Sequence, residues 1–212
     1  MKLNKVLALA LSGVMAVSML AGCSNNSGNG GQEGEEQTPA TIQVAADIND
    51  AMTDDNQKKI VFTDDGELQN QLATAVALNG IVTLPSGAKV ETTMKDLTGI
   101  DGDYNTMTTN NLNKSYEVVL VRKYGSSSMK LEAAVKNFVN VELNTWIAAM
   151  PENNLIAGQK VEDLAEGQTY VAYSYTGSVA VVEAPNADET NSAYYFAVVI
   201  SQNSTVMTKT AD

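Results

Sequence analysis

The chain has 212 residues, 25 of them acidic and 13 basic, with one cysteine and no histidine, for a formal charge of −12 at neutral pH. Without histidine and with a lone thiol, the usual zinc, copper and haem ligand sets, histidine-assisted serine or cysteine catalysis and intrachain disulfides have nothing to be built from. The acidity argues against nucleic acid and anionic headgroups as partners, since both demand the opposite sign.

Lys2 and Lys5 precede an apolar run from Val6 to Leu20, broken by Ser12, Gly13 and Ser18, and the run ends at Leu20-Ala21-Gly22-Cys23. A cationic start, a short apolar core and small residues before a cut are the parts of an export signal, and about 15 positions fall short of the roughly 20 that span a bilayer. In this order the residues resemble the signal peptide and lipobox of bacterial lipoproteins, with Leu20, Ala21 and Gly22 as the lipobox and Cys23 as the lipidated residue. The resemblance implies removal of residues 1–22, a diacylglyceryl thioether on Cys23 and an extracytoplasmic protein held to the cell membrane by acyl chains, each buried methylene contributing about 0.8 kcal/mol. Losing that segment removes two lysines and no acid, so 11 basic residues face 25 acidic ones and the charge becomes −14.

Residues 24–40 are rich in Gly, Asn, Gln and Glu and carry no large apolar side chain. They cannot offset the entropy of ordering, which predicts a lipidated, flexible tether over 23–40 with a reach of roughly 20 to 25 Å. One domain is then expected over 41–212.

Val44, Ile48 and Met52 recur every four residues and predict a short amphipathic helix over 41–53, ended by Asp54-Asp55-Asn56. Ile60-Val61-Phe62 reads as a strand, and Asp64 three residues before Glu67 reads as a capping box. Leu68, Leu72, Ala75 and Val76 then follow a helical period that Gly80 closes. Residues 81–84 read as a strand, Pro85-Ser86-Gly87 as a turn and 88–94 as a second, polar strand. Residues 95–114 are polar enough to be a long loop.

The apolar run 117–121 predicts a strand covered on both faces or lying centrally. Ser128 is placed to cap a helix over 129–149, with a stripe of Leu131, Val135, Phe138, Val139, Leu143, Trp146, Ile147 and Met150 and a stop at Pro151. Residues 170–175 alternate, Thr176-Gly177-Ser178 suggests a hairpin or bulge before 179–183, and 193–201 is a further apolar strand followed by a fraying tail. Together these predict an α+β domain: an antiparallel or mixed sheet of about five strands with two or three helices packed on one face.

Four groupings bear on chemistry. Ser127 and Lys130 have the Ser-x-x-Lys spacing that resembles penicillin-binding proteins and β-lactamases, where the lysine assists a serine nucleophile. Ser201-Gln202-Asn203 and Lys209-Thr210-Ala211 resemble that family's other elements, but they stand only eight residues apart and Ala replaces Gly. Asp101, Asp103 and Asn105 match the opening of a calcium loop, whose sixth and twelfth positions fail here at Thr106 and Leu112. Tyr173, Tyr175 and Tyr194 are candidates for a ligand-binding sheet surface, since tyrosine pairs an apolar ring with a polar tip. The reading that follows is a surface-anchored, non-catalytic binding or interaction domain at the cell envelope, with a cell-wall, peptide or protein ligand and no cofactor. The alternatives are a cell-wall hydrolase using Ser127 and Lys130, and a structural or chaperone subunit whose terminal strands pair with a partner.

Overall fold

A computed structural model describes residues 42–80, 84–109, 114–125, 129–156, 159–185 and 192–210. The export signal, Cys23, the tether, Ser127, Ser128 and residues 81–83 lie outside them. In chain order the helices are α1 (Ala45–Ala51), α2 (Asp54–Lys59), α3 (Gly66–Asn79), α4 (Gly87–Thr98), α5 (Tyr104–Met107), α6 (Leu131–Phe138) and α7 (Asn144–Ala149). The strands are β1 (Phe62–Asp64), β2 (Tyr116–Tyr124), β3 (Thr169–Pro185) and β4 (Ser192–Thr208). The fold is α+β, with one mixed sheet in the order β1-β3-β4-β2, in which β1 runs parallel to β3 and the other neighbours are antiparallel.

The sheet is built on β3 and β4, which pair over 17 residues each, a ribbon about 55 Å long at the usual rise per residue. Alternation sends Tyr194, Phe196, Val198 and Ile200 to one face, called the front, and Ala193, Tyr195 and Ala197 to the back. Helices cover both faces rather than the one expected. In front, α1 and the rod α6–α7 pack on Val118, Leu120, Val179, Val181 and Phe196. Behind, α3 and α4 pack on Val119, Val121, Ala180, Val182 and Ala197. The front core is aromatic, with Phe138 stacked on Phe196 at 4.9 Å between ring centroids. The back face of the sheet is mostly Ala and Val, with Tyr195 fully buried among them under the helices. This explains the unbroken apolar run in β2, which is an edge strand yet has both faces under helices.

Several expectations change in physical detail. Asp54-Asp55-Asn56 does not stop the chain but opens α2, while Gln57 Nε2 donates to Asn49 O and Met52 O and so closes the end of α1. The cap of α3 is Asp65, which accepts from the Leu68 amide at 3.0 Å. Asp64 instead accepts from the amides of Val44 and Ala45. Residues 88–94 are helical, because Val90 and Met94 fit a four-residue period as well as a two-residue one, and Ser86 Oγ caps the Lys89 amide. The loop expected over 95–114 holds the end of α4 and all of α5, whose Met107 is buried.

The long helix begins at Leu131 with Lys130 in the cap position, two residues later than expected, and a π turn (Val139–Leu143) joins α6 to α7. Thr176-Gly177-Ser178 makes no turn, and β3 runs straight through it. Gly177 is there for space: a Cβ would stand 2.5 Å from two Phe62 ring atoms. The tail does not fray at Asn203, since pairing continues to Thr169 opposite Thr208.

On each outer strand side chains meet the outward amide and carbonyl of one residue, which blunts the open hydrogen-bonding edge that sheets must manage. On β1, Asn49 acts as a missing strand: its Oδ1 accepts from Phe62 N and its Nδ2 donates to Phe62 O, both at 2.9 Å. On β2, Glu91 accepts from the Val121 amide at 2.9 Å and Arg122 donates to the Val121 carbonyl at 2.8 Å.

Candidate functional site

The structure disperses the residues singled out for chemistry. Tyr173, Tyr175 and Tyr194 all face the front core and are 9%, 7% and 7% exposed, so they are packing residues in this fold rather than an open platform. The Tyr175 hydroxyl donates to Pro151 O at 2.6 Å, and burial pushes its pKa up to about 12. Burial, with Glu183 adding to it, also raises Tyr194. Asp103 caps α5 by accepting from the Thr106 amide at 3.1 Å, while Asp101 and Asn105 are exposed beside it. Among the described residues no group of three or more Cys, His, Asp or Glu is gathered as for a metal. Lys130 is exposed at the cap of α6, and its proposed partner Ser127 lies outside the described residues. Ser201, Gln202 and Asn203 are consecutive in β4, so the middle one turns to the front, where it is buried, and the outer two to the back.

Arg122, the only arginine of the chain, was not singled out in the sequence. It lies 4.6 Å over the Trp146 ring and within 3.3 Å of Glu91 on α4 and 3.4 Å of Glu142 in the π turn. It therefore joins the back layer to the front layer around the free edge of β2. Its rarity was the signal that would have found it. Its Nη1 and Nε are engaged by two carboxylates and a backbone carbonyl, so it serves the fold.

One surface remains. Helices α3 and α4 cover only the half of the ribbon near the β3–β4 connection. Beyond Gly177 the back face presents the pairs Thr176 with Ser201, Ser174 with Asn203 and Ala172 with Thr205. Ser174, Thr176, Asn203 and Thr205 are exposed, and Tyr170 and Met207 close the far end. No charged residue occurs from Thr169 to Thr176 or from Ser201 to Thr208, in a chain of net charge −12. Glu117 on the rim accepts from the Ser201 hydroxyl at 2.7 Å. The front of the same half is closed by Met150, Leu155 and the tyrosines as far as Val171, and only Val206 and the strand ends are exposed there. Chemically the patch is a grid of hydroxyls and an amide at strand spacing, able to donate and accept hydrogen bonds.

Compared with family models, with curated proteins and with solved structures, the chain finds no match. Among the described residues no helix is long and apolar enough to cross a membrane.

Proposed function

We propose that this is a lipid-anchored, extracytoplasmic protein of the bacterial envelope, whose domain is a non-catalytic binding module that uses the uncovered back face of the β3–β4 ribbon. What carries the reading is that patch: an uncharged field of Ser174, Thr176, Asn203 and Thr205 on a strongly acidic chain. A face rich in hydroxyls and free of charge suits a neutral, hydrogen-bonding chain such as the glycan of a cell wall. The Leu20-Ala21-Gly22-Cys23 sequence supports the anchor.

Two experiments test the two parts separately. Mass spectrometry of the mature amino terminus should find acyl chains on Cys23, and a Cys23→Ala protein should leave the membrane fraction. A bare thiol at that position would end the anchor reading. For the domain, sedimentation with isolated cell-wall sacculi should retain the wild-type protein, while Thr176→Glu and Thr205→Glu each weaken retention about fivefold to tenfold, the worth of one hydrogen bond. Equal retention of both variants and wild type would remove the back face from the proposal without touching the anchor.

A further inference from the structure

Gln202 is fully buried, and its Oε1 is the one buried side-chain N or O atom without a hydrogen-bond partner among the described residues. It sits in β4 directly between Tyr116 of β2 and Tyr175 of β3, in one row across the front face. The neighbours decide which way its amide turns. Tyr175 gives its only proton to Pro151 O at 2.6 Å, so the phenol oxygen is left to accept. Gln202 must therefore present Nε2 to it, and does so at 2.8 Å. Oε1 points the other way. Of the nearby hydroxyls, Tyr104 is committed to Trp146 O at 2.6 Å. The Tyr116 oxygen accepts from the Asp103 amide at 2.9 Å, which leaves its own proton to give.

A buried carbonyl oxygen without a donor is costly, and protein interiors answer it with an internal water that makes about three hydrogen bonds. We infer that Gln202 forms an internal water-binding site, in which one water molecule donates to Oε1 within the layer between the front face of β4 and the segment that covers it. The site completes a chain in which water donates to Gln202, Gln202 to Tyr175 and Tyr175 to Pro151. That chain ties β4 to the segment following α7, and so braces from the front the half of the ribbon that no helix braces from behind.

Water-selective Overhauser spectra of the full chain test this directly. Cross peaks from a long-lived water to the Gln202 side-chain amide are expected in the wild type, and their absence would overturn the inference. Gln202→Met, of similar volume but with no carbonyl to hold the water, should melt about 2 to 8 °C lower. Tyr175→Phe keeps Oε1 and should keep the water peaks. A Gln202→Met protein that melts at or above the wild-type temperature, or a Tyr175→Phe protein without the peaks, would equally refute the site.

Discussion

The two halves of the β3–β4 ribbon are made by the same pair of strands and live in different surroundings. From Val179 to Ala184, and across from it Ala193 to Val198, most side chains are buried on either face, because helices lie in front and behind. From Val171 to Thr176, and across from it Ser201 to Ser204, only the front is closed, and at the far end Val206 is exposed on the front as well. The first half supplies the apolar burial that holds the fold, and the second spends its hydrogen-bonding groups on the surface. Gly177 marks the boundary, and Phe62 of β1 lies across it. Stability and the proposed recognition thus fall to separate halves of one continuous element, and substitutions in one half should leave the property of the other intact.

The contrast can be broken most forcefully in the covered half. Phe196→Ala removes a fully buried ring stacked on Phe138 and should cost about 3 to 5 kcal/mol in urea unfolding. Less severe is Gly177→Ala at the boundary, where the new methyl meets a Phe62 whose backbone is pinned at both N and O by Asn49. A loss of about 1 to 3 kcal/mol is expected for such overpacking, read as a lower urea midpoint at unchanged slope.

Alkali sharpens the comparison in another way. Burial raises Tyr104 and Tyr175 to about 12 and pushes Tyr195 up as well, all three buried or half-buried. Unfolded tyrosines ionise near 10, so their protonated form contributes stability that is complete below about pH 10 and is lost as the pH rises through the folded values. Absorbance titration should therefore show a group of tyrosines ionising together with unfolding near pH 12 and not before. The smallest effect belongs to the uncovered half: Ser174→Ala and Thr205→Ala should each change stability by no more than about 0.5 kcal/mol in the same urea experiment. A loss as large as that of Gly177→Ala would show that the back face is structural.

Much of the covered half was legible in the sequence, since an aromatic or branched residue at every second position of 193–201 can satisfy no other element so well. The apolar stripe of 131–150 was legible as one helix, but the π turn within it was not. Val139 is buried beside Phe138 and stands four residues before Leu143, so the core positions keep the spacing of an ordinary helix. Residues 88–94 were illegible for a different reason, because Val90 and Met94 serve two periods at once. Unity of β3 was hidden by Thr176-Gly177-Ser178, a turn-like triplet whose glycine answers to a ring from another strand, a contact between residues more than 100 positions apart. The uncovered face could not be read either. Its hydroxyls alternate along β3 and β4, but whether a helix lies over them depends on where α3 and α4 end relative to the strands.

The π turn has a consequence for the length of the chain. A π turn holds one residue more than an α turn, so it absorbs the extra position between Phe138 and Leu143 without turning what lies downstream. Trimming Val141, an exposed side chain, should therefore close the turn into ordinary α-helix and leave Trp146 and Ile147 facing the core. An insertion in the regular turns on either side, which would swing the downstream residues by about 100°, should be far less tolerable than a gap at this place.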